Sequence, residues 1–308
     1  MNFTFFGTDN FSVAVLDELK SAAKIPSLII TAPDRPAGRG QKTKQSNVKK
    51  WALENKIEVL QPEKLDTDFV SALTEKAKKF SSSQWDFFVV ASYGKIVPQS
   101  VLDLPKYGAL NVHPSLLPEY RGASPIESAI LDDNKNTGVT IMLMDEKMDH
   151  GPILNQEFVY FDEWENREII ESRLASVGGG MLAETIESWI GGDIEPQEQD
   201  HDTATFTKKI SKNDGLIDFE DIKKIVSLEK DESQKKLSLE KQRTIFLKIK
   251  ALSPWPGAHF FIKRGGEDLR VKITDAEWAN NRLEITNVVP AGRKPMSWNS
   301  FIDGFLRN

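Results

Sequence analysis

Two side chains able to share one acyl-transfer step stand two residues apart, at Asn111 and His113, in the run Asn111-Val112-His113-Pro114-Ser115-Leu116-Leu117-Pro118-Glu119-Tyr120-Arg121-Gly122. If 108–113 is a strand, residues two apart project from the same face. An Asn amide can donate to an oxygen that becomes negative, and an imidazole can accept a proton near neutral pH. Pro114 then takes the chain out of the strand. The pairing suits acyl or formyl transfer; the plainer alternative is that both groups only hydrogen-bond the loop that follows. A second segment, Asp145-Glu146-Lys147-Met148-Asp149-His150-Gly151, offers a carboxylate that could reach His113, fix its tautomer and adjust its basicity. By charge alone Asp145 and Asp149 are equal candidates, and a solvated acidic turn is the competing reading. His150 among these carboxylates is a weak ligand set, and no metal is expected.

These residues need elements to hold them. Phe3–Phe6 reads as a short apolar strand that ends at Gly7, and 11–22 as a helix with Val13, Leu16 and Leu19 near helical spacing. Strand signals recur at 27–32, 57–60, 85–91, 108–113, 139–144 and 153–161, with helical stretches at 48–55, 66–80 and 124–131 between them. Ser124 before Pro125 is a cap and first-turn pair. Residues 165–190 read as a long helix broken or loosened at Gly178-Gly179-Gly180. Strands alternating with helices predict an α/β, Rossmann-like, doubly wound and mostly parallel sheet, whose ligands bind beyond the carboxyl ends of the strands. Residues 191–202 are polar and turn-rich, 222–250 is charged and helix-like, and short strand signals after His259 predict a smaller β domain. We expect domains at 1–204 and 205–308.

Composition removes other classes. The 308 residues carry 40 Lys plus Arg against 46 Asp plus Glu, a net charge of −6, with four His and no Cys. Disulfides, thiolate metal sites and a Cys nucleophile are excluded. The His spacing is not that of a zinc protease, Gly7-Thr8-Asp9-Asn10 has one glycine where a dinucleotide fingerprint has three, and there is no P-loop. No apolar run approaches the roughly 18 residues of a membrane span. The first lysine is Lys20, so no secretory signal peptide is expected. A cytoplasmic enzyme with no membrane partner is the expectation. The acidic total hides one basic segment: residues 33–50 hold Arg35, Arg39, Lys42, Lys44, Lys49 and Lys50 against Asp34 alone, and six less one gives +5. Such a loop suits phosphate contacts, although charge runs are commonly just solvated.

Taken together, N-x-H-P-S-L-L-P-x-Y-R-G and the downstream M-D-H-G-P-I-L resemble the folate-dependent formyltransferases. The resemblance implies 10-formyltetrahydrofolate as donor and an Asn/His/Asp catalytic trio at Asn111, His113 and Asp149, which selects Asp149 over Asp145. It implies that Ser115-Leu116-Leu117-Pro118 and Ser92-Tyr93-Gly94 line the folate. Pro33-Asp34-Arg35-Pro36-Ala37-Gly38-Arg39-Gly40, Thr207–Lys212 and Pro290–Ser297 resemble those members whose acceptor is the amino group of methionyl-initiator-tRNA. For them Arg35, Arg39, Lys42, Lys44 and Lys209 are implied tRNA contacts. The implied mechanism has Asn111 and protonated His113 stabilising the acyl oxygen while Asp149 orients His113 and assists proton removal. The family's C-terminal domain is an oligonucleotide-binding-type barrel; here too few residues lie between Ala258 and Pro290 for all its strands, so a shortened one is expected. A monomer is expected. The rival readings are formylation of an amino-sugar nucleotide and a non-catalytic RNA-binding protein on the same scaffold.

Overall fold

The computed structural model describes residues 1–37, 42–80, 83–226 and 237–307. The chain forms two compact units: Met1–Pro125, Asn136–Tyr160 and Glu171–Thr207 make the first, and Ile126–Lys135, Phe161–Ile170 and Lys208–Asn308 the second. Along the chain run β1 (Phe3–Gly7), α1 (Asn10–Ser21), β2 (Leu28–Ile30), β3 (Arg35–Ala37), β4 (Lys42–Lys44), α2 (Asn47–Glu54), β5 (Glu58–Leu60), α3 (Thr67–Ala77), β6 (Phe87–Ala91), α4 (Gln99–Leu102), β7 (Ala109–His113), β8 (Arg121–Gly122) and α5 (Pro125–Leu131). There follow β9 (Asn136–Leu143), β10 (Ile153–Tyr160), α6 (Arg167–Gly191), β11 (Phe206–Thr207), α7 (Phe219–Val226), α8 (Leu239–Ala251), β12 (His259–Arg264), β13 (Glu267–Ala279), β14 (Arg282–Pro290), β15 (Met296–Ser297) and α9 (Trp298–Phe301).

The first unit is built on a seven-stranded sheet in the order β10-β9-β7-β6-β1-β2-β5. The five strands from β7 to β5 are parallel, and β9 and β10 add an antiparallel edge. β1, β6 and β7 are buried at every residue, as strands covered on both faces must be. From β1 the chain goes first to β2 and β5 on one side and then to β6 on the other. The reversal leaves a crevice at the carboxyl ends of β1 and β6, where open α/β sheets take ligands.

Two local expectations change. Residues 33–40 read as loop, but Arg35–Ala37 and Lys42–Lys44 pair as an antiparallel hairpin with Arg35 opposite Lys44. The three glycines do not break α6, which runs through them unbroken. A Cβ on Gly178 would stand 2.7 Å from Val112 Cγ1 and 2.9 Å from Val139 Cγ1, and one on Gly179 would stand 2.6 Å from Glu18 Cβ. The absence of side chains here lets α6 lie close against the sheet and α1. The charged stretch at 222–250 is helical at both ends, in α7 and α8, and its middle, 227–236, lies outside the described residues.

The second unit carries an antiparallel sheet in the order β12-β13-β14-β15. Its four strands among the described residues are one fewer than an oligonucleotide-binding barrel has. Phe260 stacks on Phe219 at 5.4 Å between ring centres, and Phe301 meets it edge-on. The unit also gathers 126–135 and 161–170 from the first half of the chain. Arg243 on α8 donates to both Asp133 oxygens at 2.8 and 2.9 Å and to Glu163, while Trp164 Nε1 donates to Asp133.

Candidate functional site

The crevice is framed by short polar contacts. Ser12 on α1 donates to Ala91 O at 2.6 Å, and Thr8 to Tyr93 O at 3.0 Å, tying the loops after β1 and β6 together. Beside them, on β7, Asn111 and His113 share a face and keep 8% and 4% of their surface exposed. Among the described residues the Asn111 amide has no hydrogen-bond partner. Its donor is therefore not engaged by the described residues and is open to an incoming acyl oxygen.

His113 is held from two sides. Its Nε2 lies 3.0 Å from Tyr120 O. A carbonyl can only accept, so Nε2 carries the proton and Nδ1 keeps the lone pair in neutral imidazole. Nδ1 faces Asp149 Oδ1 at 3.7 Å, beyond hydrogen-bond length. The second Asp149 oxygen accepts from Gly122 N at 2.7 Å. Asp149 has φ 52°, the left-handed region, which swings its carboxylate out of the turn after β9 towards β7. Two hydrogen bonds of about 2.9 Å can meet at one atom from points 3.7 Å apart, so Nδ1 and Oδ1 converge on a single polar position. Asp145 goes elsewhere: its Oδ2 lies 2.6 Å from His150 Nδ1.

The loops expected to line a folate flank this trio. In 115–118, Ser115 is fully buried and its hydroxyl donates to Glu119 O. Thr140, opposite His113 on β9, donates to Ser115 O and accepts from Leu117 N. Leu117 is buried, whereas Leu116 and Pro118 are half-buried. In the loop after β6, Ser92 donates to Asp9 and is exposed. Tyr93 turns into the core against Phe6, and burial pushes its phenol up to about 12. Gly94 has φ 80° with no atom within 4 Å of where a Cβ would stand, and Ile96, two residues on, is 85% exposed. An exposed aliphatic side chain and an unengaged amide fit a flat ring system carrying an acyl oxygen.

A family model described as Formyl transferase matches residues 1–186. The methionyl-tRNA formyltransferase of Thermodesulfovibrio yellowstonii is 34% identical over 322 residues, 97% of this chain and 94% of that protein. That of Listeria monocytogenes serovar 1/2a is 36% identical over 324 residues, 99% of this chain and 96% of the relative. The chain belongs to the methionyl-tRNA formyltransferase family. Among solved structures, HypX from Aquifex aeolicus in complex with tetrahydrofolic acid superposes with a TM-score of 0.61 at 16% identity, over 99% of this chain and 47% of that one. An N-formyltransferase from Helicobacter canadensis in complex with folinic acid and dTDP-3-aminofucose gives 0.57 at 17%, over 89% and 87%. At these identities the two likenesses speak for the fold.

Within a methionyl-tRNA formyltransferase the basic segment is the other feature of interest. Asp34 accepts from Lys49 Nζ and Gln61 Nε2, both at 2.7 Å, and these bonds hold its carboxyl below the usual range. Arg35 pairs with Glu63, and Lys44 is exposed. Lys42 lies in β4 but its side chain, like all of Arg39, is outside the described residues. Lys209, in the second unit, is exposed. Among the described residues no three His, Asp or Glu side chains form a metal-binding group, and no helix is long and apolar enough to cross a membrane.

Sequence reasoning passed over Thr140 and Gln199. Gln199 is 5% exposed and donates to Asp149 O at 3.1 Å and Gly151 O at 2.7 Å. It lies in the polar stretch that read as a boundary, and nothing local marks a residue whose partners are about 50 positions away.

Proposed function

We propose that this chain transfers the formyl group of 10-formyltetrahydrofolate to the α-amino group of methionyl-initiator-tRNA, in the cytoplasm, where charged tRNA is used. The carrying observation is the Asn111 amide, unengaged by the described residues, beside the His113–Asp149 pair at the sheet's switch point. Support for the acceptor comes from the names of relatives that match nearly the whole chain. When bound, the folate supplies an activated formyl carbonyl; Ser92, Gly94, Leu116 and Pro118 keep surface to line it, and the buried Tyr93, Ser115 and Leu117 would brace those loops.

The chain's own residues do the rest. An amine attacks only when neutral and must shed a proton as it bonds to carbon. With Nε2–H fixed by Tyr120 O, His113 Nδ1 is the free acceptor for that proton. Asp149 Oδ1, 3.7 Å away, stabilises the imidazolium so formed. Asn111 donates to the acyl oxygen as it becomes negative, and the charge on His113 adds to that stabilisation; when the carbonyl re-forms, the bond from the formyl carbon to the folate nitrogen breaks and the proton held by His113 passes to that nitrogen. Arg35, Arg39, Lys42, Lys44 and Lys209 are the proposed phosphate contacts, and the first unit is the proposed catalytic one.

The test is direct. The protein is incubated with 10-formyltetrahydrofolate and either charged initiator tRNA or an amino-sugar nucleotide, and the formylated product is detected by mass spectrometry. Formyl-methionyl-tRNA is expected. Product from the sugar nucleotide alone would move the chain to the other acceptor class, and no product from either would leave an RNA-binding role.

A further inference from the structure

Asp149 is gripped at both ends by one closed path. Gly122 N–H holds its carboxylate at 2.7 Å. Gln199 Nε2 spans His150 to hold the carbonyls of Asp149 and Gly151. Gln199 Oε1 in turn accepts from Arg121 Nε at 3.1 Å and Nη2 at 2.6 Å. Arg121 and Gly122 are neighbours on β8, so the path returns to its start. A guanidinium has donors and no acceptor, which fixes Oε1 towards Arg121 and both amide hydrogens towards the two carbonyls. The same Nη2 lies 2.9 Å from His201 Nδ1, so that nitrogen accepts and the imidazole proton sits on Nε2. His201 stacks on His150 with ring centres 4.0 Å apart and 12° between planes, and His150 is bound to Asp145.

Arg121 is 3% exposed, and among the described residues no carboxylate lies within ion-pair distance of it. A buried charge whose partners are an amide, an imidazole and, at 5.9 Å, the ring of Phe206 is a poor way to gain stability. It is a good way to fix geometry. We propose that Arg121 and Gln199 are positioning residues for the reaction proposed above: they hold the left-handed Asp149 so that Oδ1 faces His113 Nδ1, and touch no substrate themselves.

Gln199→Glu is the informative change. It keeps the size of the side chain and gives Arg121 a carboxylate partner, but removes both donors to the turn at 149–151 and sets oxygen against carbonyl oxygen. With methionyl-tRNA and 10-formyltetrahydrofolate, kcat should fall about a hundredfold, as small misplacements of reacting groups do. KM for the folate should stay within about twofold, with the thermal midpoint retained. The His113 imidazole, followed by NMR against pH in the free protein, should titrate differently in the variant. Its facing groups are Asp149 and the Tyr120 carbonyl, and only the first moves. Wild-type kcat together with an unchanged His113 titration would overturn the inference. If the wild-type chain formylates neither acceptor, the functional reading fails and the NMR comparison still decides this one. Should Gln199→Glu not fold, Arg121→Lys, which offers one donor group in place of the fork, is read in the same two ways.

Discussion

Asn111 sits on a buried strand, and its carboxamide has no partner among the described residues. Asn111→Ala should leave the thermal midpoint near its wild-type value, while kcat for formylation falls about 10²–10³-fold, the usual effect of losing an oxyanion donor. Circular dichroism and single-turnover assays check both halves. A large loss of stability with little loss of rate would make Asn111 a packing residue. Asn111 and His113 were legible because strand periodicity alone puts them on one face. Asp149 was not: Asp145 has the same charge and a similar distance along the chain. What separates them is the backbone, since φ 52° turns Asp149 towards His113 while Asp145 is taken by His150. Only the family resemblance selected Asp149, and nothing selected Gln199.

At the scale of elements, α6 shows why a composition rule can misread a helix. Three successive glycines weaken a helix by propensity, yet the helix continues because Gly178 lies against Val112 and Val139. Gly178→Ala should destabilise by about 1–3 kcal/mol, the cost of overpacking. Gly180, with no atom within 4 Å of a Cβ, should gain about 0.5–1 kcal/mol on Gly180→Ala. Urea unfolding of the two variants should shift the midpoint in opposite directions; shifts of the same sign would refute this account of the packing. The strand and helix alternation was readable because each element buries an apolar face and so repeats its period. The order of strands and the antiparallel edge at β9 and β10 were not, since they depend on pairings between distant segments. The hairpin at Arg35–Ala37 and Lys42–Lys44 escaped for a different reason: three-residue strands with Pro36 among them carry no alternation.

The whole molecule joins segments far apart in sequence, and charge shows where. In the second unit, burial would raise Asp133 and Glu163, but hydrogen bonds from Arg243, helped by Trp164 and by the charges of Arg243 and Lys135, hold both below the usual carboxylate range. A depressed carboxylate contributes stability above its unfolded pKa of about 4, and loses it as pH falls through the folded value. These groups are partly exposed, so screening limits the contribution. Arg243→Met should cost about 1 kcal/mol at pH 7, and the gap between the thermal midpoints of variant and wild type should narrow as pH falls below about 4. A gap that stayed constant between pH 7 and pH 3 would show the loss to be one of packing.

The net charge of −6 would by itself repel RNA, so a tRNA acceptor demands local compensation. In the 33–50 segment Lys49 is bound to Asp34, while Arg35 reaches outside it to Glu63; six cations less the segment's one carboxylate keep it at +5. Lys44 is exposed in that segment and Lys209 is exposed in the second unit, and each is a proposed phosphate contact. Every phosphate contact made by a cation releases counterions and adds about 0.7–0.9 to the slope of affinity against salt on logarithmic axes. Formylation of methionyl-tRNA, measured as kcat/KM, should therefore fall steeply with added KCl while KM for the folate changes little. Lys44→Ala and Lys209→Ala should each flatten the slope by about one contact and lower kcat/KM at low salt, leaving kcat near wild type. Arg35→Ala should lower kcat/KM further, because it also frees the Glu63 carboxylate beside the RNA. If both lysine variants kept the wild-type slope, the basic segment would be a solvated loop and the tRNA would have to be held elsewhere on the protein.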